Sequence, residues 1–467
     1  MTEHTSMRAF SRWLENYLNF EKNPKKDIFK LDTMKFLCAE FGNPQNTYKS
    51  IHIAGSKGKG SVSAFCASIL EEAGFKTGLY TSPHVEDIRE RITAPTHFFT
   101  EEEYSNALQA FIPAADLYIS SRLNGRKKPT WFELMTLFAF FCFRNCKTQW
   151  AVFETGMGGR LDATNVLHPQ ACAITTIELE HTEYLGSTTE AIAYEKAGII
   201  KPDIPVCIAR QSADVKKVFK AKAAKEHTPI FFIEDIVTHI HYIREKSGIE
   251  ILFAPDAFCA LNGSVFFSRP IKAHLKLHGA FQTENAALAA AAVKTALPDI
   301  DEQTIERGLE KAFLPGRFEI IHTKVRNKAL TIVIDGCHTP NSIRGTLETF
   351  FADFGPSAHL LFACAEDKDV DSMASIIKDS PCSFSKINLT IPGKAKHSDY
   401  DKTLKSFYTR FEKSLLNADK DYTALIHNAF EQAAAENKAL LCAGSFYLAG
   451  EVKKAIQKNR LDSCPPQ

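Results

Sequence analysis

No run of this 467-residue sequence is apolar for long enough to cross a bilayer. The longest, Leu134 to Phe143, is interrupted by Thr136 and falls well short of the roughly 20 residues a spanning helix needs. Met1-Thr2-Glu3-His4 does not begin a secretory signal, so a cytosolic protein without membrane partners is expected. Nor is there a surplus of charge: 56 Lys and Arg against 55 Asp and Glu give +1, which argues against polyelectrolyte attraction to nucleic acid or anionic lipid. Any anionic ligand must be held by local groups. Internal repeats, low-complexity tracts and paired CxxC knuckles are missing too. The closest cysteines, Cys142 and Cys146, sit at helical spacing in an apolar stretch, and the 12 cysteines read as reduced, mostly buried thiols.

What is present is an ordinary globular balance, 45% hydrophobic and 24% charged. At roughly 150 residues per domain the length allows three, but α/β domains run larger and two are expected. Short β-branched or aromatic runs alternate with amphipathic helical patterns, the signature of βαβ units and a mainly parallel sheet. Strands are predicted at Ile51 to Ala54, Gly78 to Thr81, Trp150 to Phe153 and Cys172 to Ile177, then at Thr331 to Ile334, Leu360 to Ala363 and Leu440 to Ala443. Val62, Phe65, Cys66, Ile69, Leu70 and Ala73 make one apolar helix face ending at Gly74, and Leu425, Ile426, Ala429, Phe430 and Ala433 make another. The pattern restarts after Pro315-Gly316-Arg317. Residues 1–314 are therefore expected to form a P-loop-type α/β domain with a mainly parallel sheet, and residues 315–467 a smaller Rossmann-like α/β domain. Residues 227–269 read as β-rich and irregular, with no role assigned.

Strand Ile51 to Ala54 runs into Gly55-Ser56-Lys57-Gly58-Lys59-Gly60-Ser61 and then a helix. Glycines let backbone N–H groups converge, the helix offers its positive end, and Lys59 adds charge, so the loop reads as a phosphate cradle. A glycine turn chosen only for tight packing is the alternative, disfavoured by two crowded lysines. The spacing departs from Walker A, with Ile53 at the first glycine position and Gly60 where Ser or Thr follows the lysine, which disfavours a generic kinase or GTPase. Gly156, Gly158, Gly159 and Arg160 do not make a GxGxxG, and no acidic ribose partner stands at the expected distance, so NAD is set aside.

Residues 51–61 resemble the phosphate loop of the folylpolyglutamate and dihydrofolate synthases, members of the Mur ligase superfamily. The likeness continues through Tyr80-Thr81-Ser82-Pro83-His84, Glu154 to Asn165, Glu195-Lys196-Ala197-Gly198-Ile199-Ile200-Lys201, Gly316-Arg317, Asp335-Gly336-Cys337-His338, Asp367-Lys368-Asp369 and Gly444 to Gly450, nearly the whole chain.

Ser82, Glu154 and His181 stand just beyond predicted strand ends and offer hydroxyl, carboxylate and imidazole. By themselves they could equally be a turn residue, a solvated strand end and a surface histidine. The resemblance implies that they hold Mg²⁺, which prefers oxygen ligands and keeps waters. Lys196 lies in the last turn of a helix expected to open with a Ser187-Thr188-Thr189-Glu190 capping box and to close at Gly198, where a lysine suits the helix dipole. The resemblance implies instead that CO₂ carbamylates it, replacing an ammonium with an anionic ligand for a second metal ion. It also implies a pterin site bordered by Thr130, Trp131, Phe132, Leu161, Asp162 and Ala163, although Trp131 and Phe132 could equally be core aromatics. ATP contacts are implied for Ser56, Lys57, Gly58, Lys59, Gly60, Ser61, Asn285, Arg317 and Asp335, and a contact with the transferred phosphate or bound glutamate for His338. Lys59, Lys196 and His338 are the implied catalytic residues. Four departures from the family pattern are visible: Cys337 for alanine, Thr339 for asparagine, Phe281 for histidine, and Glu180 for the aspartate before the metal histidine.

The implied reaction is ATP-dependent addition of L-glutamate to the γ-carboxylate of folates, with two Mg²⁺ ions, in a monomer whose ATP contacts, divided between domains, would require closure. Bifunctional members also join glutamate to dihydropteroate. The Asp27-Ile28-Phe29 stretch does not clearly match their pattern, which favours polyglutamylation as the surer activity. The competing readings are a Mur-type cell-wall ligase, for which the roughly fifty residues before the loop are too few to make the extra domain, and a P-loop kinase or nucleotide-binding regulatory protein.

Overall fold

In the computed structural model, which describes residues 6–19, 30–243, 248–253, 267–393 and 397–462, strand β1 (Lys49–Ala54) is buried at every position but the first. That is what a central strand covered on both faces requires. It belongs to a seven-stranded sheet with β2 (Thr77–Tyr80), β3 (Ile92–Thr93), β4 (Trp150–Glu154), β5 (Ala171–Ile174), β6 (Val206–Ile208) and β7 (Ile230–Phe232). The order is β3-β2-β4-β1-β5-β6-β7, parallel except for the short edge strand β3. The chain leaves β1 for β2 and returns to β4 on one side of β1 before starting β5 on the other. In an open parallel sheet such a reversal leaves a crevice at the carboxyl end of the central strand.

The predicted strand Cys172 to Ile177 stops at Ile174 because the next residues serve the neighbouring loop: the Ser56 amide donates to the Thr176 carbonyl at 2.9 Å. Helix Lys59–Glu72 is buried all round from Gly60 to Leu70, not on one face only. Its second side is covered from far along the chain. Ser68 Oγ donates to the Gly308 carbonyl at 2.7 Å, and Cys66 Sγ contacts the carbonyl of Ala289, in helix Phe281–Ala296, at 3.8 Å.

The other side of the unit is an aromatic core. Phe10, Phe111 and Phe138 pack together from helices Met7–Leu14, Glu101–Ser121 and Trp131–Asn145, and the Trp13 indole N–H reaches Asp116 at 3.0 Å. Within the irregular 227–269 region and just beyond it, β8 (Val237–Ile243), β9 (Gly248–Phe253) and β10 (Ile271–His274) form a separate antiparallel sheet. These elements belong to a unit made of Met1–Ser82, Ile88–Lys276 and Gln282–Phe313.

The second unit takes Leu314–Gln467 together with Pro83–Asp87 and Leu277–Phe281. Its six-stranded sheet runs β11 (Glu319–Val325), β12 (Lys328–Ile334), β16 (Ala439–Ala443), β13 (Ser357–Phe362), β14 (Ser383–Leu389), β15 (Leu416–Ala418), parallel but for the β11–β12 hairpin. Leu425, Ile426, Ala429, Phe430 and Ala433 are all buried in helix Tyr422–Ala435, as their spacing predicts. Among the described residues, ten cysteines are unbridged and buried, and no helix is long and apolar enough to cross a membrane.

Candidate active site

The loop after β1 turns through Gly58, whose φ of +87° is costly for any residue with a Cβ. A Cβ there would also strike Asn285, whose side-chain oxygen sits against the loop. Asn285 is held in turn: its Nδ2 donates to Gln282 Oε1 at 2.9 Å, and Gln282 Nε2 donates to Ser61 Oγ at 3.2 Å. Gln282 is a loop-bracing residue that the sequence did not single out. Lys59 folds back over its own loop, donating to the carbonyls of Gly55 at 2.9 Å and Ser56 at 3.3 Å, while Ser56 Oγ donates to the Glu178 carbonyl at 3.1 Å. The loop is thus closed by its own side chains, and helix Lys59–Glu72 points its leading N–H groups out of it.

Lys196 reaches the same loop. It is 1% exposed, and its Nζ donates to the Gly55 carbonyl at 2.7 Å and to Glu180 Oε1 at 2.9 Å. Burial lowers its pKa to about 8; Glu180 resists that shift, whereas Lys59 and Lys57 add to it. Burial alone would raise the Glu180 carboxyl, but Lys59, Lys196 and Lys57 outweigh it and hold the group at about 2. Three ammonium groups therefore surround one ionised carboxylate, an arrangement suited to anions. In the sequence Glu180 stands out only as a departure from the aspartate of the family pattern. The supporting helix differs slightly from expectation: it spans Thr189–Ala197 and is capped by Thr188, which accepts from the Ala191 amide at 3.2 Å. The position three residues on is then Ala191, which has no carboxylate to complete a capping box. Gly198 closes the helix with an ordinary right-handed backbone; it is glycine because a Cβ would collide with the Arg160 backbone.

Glu154 ends β4, 3% exposed and in register with Ile53 of β1, which puts it on the edge that carries the phosphate loop. Its Oε2 accepts from the Ser82 amide at 3.1 Å, so the two predicted metal ligands are neighbours. His181, exposed, has a left-handed backbone (φ +47°) at the start of the four-residue helix Thr182–Leu185, directly after Glu180. Among the described residues no three His, Cys, Asp or Glu side chains cluster as a metal site. The carboxylate of Glu154 and hydroxyl of Ser82 are oxygen donors of the kind Mg²⁺ takes. Lys196 as an ammonium is not a ligand; only a carbamylated form would fit.

The predicted pterin residues divide. Asp162 is fully engaged inside its own loop. Its Oδ2 accepts from the amides of Gly156 at 2.9 Å and Met157 at 3.0 Å, and its Oδ1 from the Thr164 amide at 3.0 Å and the Thr164 hydroxyl. The Thr130 hydroxyl likewise caps helix Trp131–Asn145, accepting from the Glu133 amide at 3.2 Å. Trp131 is buried with the Arg91 guanidinium 4.8 Å from its ring centroid, and Ala163 is buried too. Phe132 and Leu161 are partly exposed, and the Phe132 ring lies against Gly156. Residues 156–165 are tied to the Lys196 helix by Arg160, whose amide donates to the Glu195 carbonyl at 2.7 Å and whose guanidinium pairs with the Glu195 carboxylate at 2.8 Å.

In the second unit Asp335 follows β12, 6% exposed, and accepts from the amides of Phe318 at 2.9 Å and Cys337 at 2.7 Å. Burial raises its pKa against the pull of Arg317. Its carboxylate thus pins the turn that carries Arg317, whose guanidinium stacks 4.2 Å from the Phe446 ring centroid. His338 Nδ1 lies 2.7 Å from the Gly336 carbonyl, which selects the tautomer protonated there and leaves the lone pair on Nε2. The Asp27-Ile28-Phe29 stretch lies outside the described residues.

A Mur ligase middle domain family profile matches residues 53–293. The chain is 28% identical over 459 residues to the dihydrofolate synthase/folylpolyglutamate synthase of Bacillus subtilis, covering 97% of this chain and all of that one. It is 31% identical over 367 residues to the folylpolyglutamate synthase of Lacticaseibacillus casei, covering 76% and 80% of the two chains. The crystal structure of Mycobacterium tuberculosis folylpolyglutamate synthase complexed with ADP and AMPPCP superimposes with a TM-score of 0.81 at 26% identity, over 99% of both chains.

Proposed function

The chain belongs to the folylpolyglutamate and dihydrofolate synthase family of Mur ligases, and from that premise we propose that it is an ATP-dependent ligase adding L-glutamate to the γ-carboxylate of folates. The observation that carries this is the gathering of Lys57, Lys59 and Lys196 around the single carboxylate of Glu180 at a glycine loop and helix N-terminus. A carboxylate carbon is electron-rich and hydroxide is a poor leaving group, so the acid must be activated. Phosphorylation by ATP supplies the activation, the glutamate amino group attacks the acyl phosphate, and phosphate leaves from a tetrahedral intermediate.

The chain's own contribution to the first step is positioning and charge neutralisation. Lys59 and the backbone amides of Gly58, Gly60 and Ser61 are proposed to cradle the ATP phosphates, with Ser56 and Asn285 holding the loop's shape. Glu154 and Ser82, with His181, are proposed to hold Mg²⁺, which when bound neutralises charge on the transferred phosphoryl group. Lys196 is proposed to act as a carbamate for a second ion: its lowered pKa leaves a fraction of free amine for CO₂ at neutral pH. Phe132 and Leu161 are the pterin-side residues with surface to offer, while Asp162 acts by fixing their loop. Arg317, Asp335 and His338 keep the roles the family resemblance gives them, and the functional division at 314/315, a cytosolic location and a monomeric state complete the proposal.

Incubating the pure protein with ATP, Mg²⁺ and labelled glutamate, with tetrahydrofolate or dihydropteroate, tests the reading. Label should enter the tetrahydrofolate product. Label entering only the dihydropteroate product would reverse the substrate preference, and label in neither would reject the substrate class.

A further inference from the structure

At the N-terminal edge of the first sheet, away from the phosphate loop, the structure contains a cavity of about 530 Å³. Gln45 and Lys201, which precede β1 and β6, line it together with Lys35, Asn165, Lys222 and Glu226. Its size is that of a small-molecule site rather than a water pocket.

The charges are unbalanced. Lys35 has no side-chain partner among the described residues, and Lys201 Nζ donates only to the carbonyls of Asn165 at 2.9 Å and Leu167 at 2.6 Å. Lys222 pairs with Glu226. Three ammonium groups against one carboxylate leave two positive charges in excess, which matches a phosphate monoester above its second pKa of about 6. Burial lowers Lys201 to about 8, and Lys35 and Lys222 contribute, so these amines feel one another.

The uncharged groups ask for something more than an anion. Gln45 is 6% exposed, yet its Oε1 has no hydrogen-bond partner, and neither does Asn165 Oδ1. The Asn165 amide cannot simply be turned over, because its Nδ2 donates to the carbonyls of Arg160 and Gly198 at 3.0 Å each. Two buried oxygens that only accept call for hydroxyl donors on the ligand. We propose that this cavity binds a small phosphate monoester bearing free hydroxyl groups, its phosphate on Lys35, Lys201 and Lys222 and its hydroxyls on Gln45 and Asn165. Because Asn165 bonds the Gly198 carbonyl, such a ligand would also brace the end of the helix that carries Lys196.

Calorimetric titration of the full chain with ribose 5-phosphate, with AMPPCP saturating the nucleotide site, tests the assignment. The wild type should bind the probe. Lys35→Glu, an exposed position, should weaken binding at least tenfold with ligase activity in the absence of probe unchanged, and Lys225→Glu, exposed on the Lys222 helix but outside the cavity, should bind as the wild type does. No binding by the wild type, equal binding by Lys35→Glu, or binding only when AMPPCP is omitted would overturn it, the last by placing the probe at the phosphate loop. So would L-malate binding more tightly than the sugar phosphate, which would make the ligand a hydroxylated dicarboxylate.

Discussion

Glu180 Oε1 accepts a hydrogen bond from Lys196 Nζ at 2.9 Å, and each group depends on the other to stay charged in a site from which water is largely excluded. Breaking a buried pair by removing one partner costs more than the pair contributes, because the remaining charge is left without compensation.

In the uncarbamylated protein, where Lys196 is an ammonium, Glu180→Gln should therefore destabilise the fold by about 3 kcal/mol near neutral pH. The pH course follows from the directions of the shifts. Lys196 is depressed to about 8 from 10.5, so folding opposes its charge below pH 8 and that cost fades as pH rises towards 10.5. Glu180 is depressed to about 2 from 4.5, so its contribution is complete above 4.5 and lost as pH falls towards 2. Denaturant melts should show the widest gap between wild type and variant from pH 5 to 8, closing at both ends. A gap independent of pH would remove the ion pair from the account.

Lys196→Ala should lower ligation by roughly a hundredfold or more, about 2.7 kcal/mol of transition-state stabilisation, with the fold retained by circular dichroism. Partial recovery on adding short carboxylic acids is expected if the missing function is an anionic oxygen. Full activity in the alanine variant would eliminate the carbamate.

Gly198→Ala and Gly74→Ala should fail differently. At Gly198 the backbone is ordinary and the obstacle is the Arg160 backbone, so the variant must displace residues 156–165, at about 1–3 kcal/mol with a raised KM for folate. At Gly74 nothing lies near a new Cβ, but φ is +88°, so the cost of about 1–2 kcal/mol is conformational and kinetics should not change. Melting curves with steady-state kinetics on both separate the two cases; a changed KM in Gly74→Ala would contradict this.

Asp335→Asn should cost the second unit about 1–3 kcal/mol, because an amide presents N–H groups to one of the two backbone N–H donors that the carboxylate now accepts. Hydrogen exchange should show the loss in residues 316–318 and 335–337 first. Unchanged protection there would mean that Asp335 does not hold the Arg317 turn.

The parts of this architecture legible in the sequence are local ones. A strand, a glycine loop and an amphipathic helix follow one another within 24 residues from Ile51 to Gly74, and their periodicity is enough to place β1 and helix Lys59–Glu72. Periodicity could not show that Ser63, Ala64, Ala67 and Ser68 are buried as well, because the elements that cover them lie more than 200 residues away. The Glu180–Lys196 pair was hidden for a similar reason: it forms only once a separate helix docks against the phosphate loop. The family resemblance points to Asp162 and Thr130 as pterin-site residues, but their hydrogen-bond capacity is used within their own turns, a distinction that residue type alone does not make.

Ten buried thiols spread across both units also make the protein its own opening reporter. Cys38, Cys66, Cys142, Cys146, Cys172 and Cys207 lie in the first unit, and Cys337, Cys364, Cys382 and Cys442 in the second. Burial pushes Cys38 up to about 12 and Cys364 and Cys382 up to about 11, so neither access nor ionisation favours alkylation while the chain stays folded. Peptide-resolved pulse alkylation, after subtraction of Cys259 and Cys464, which lie outside the described residues, would time the local unfolding of each unit without any engineered label.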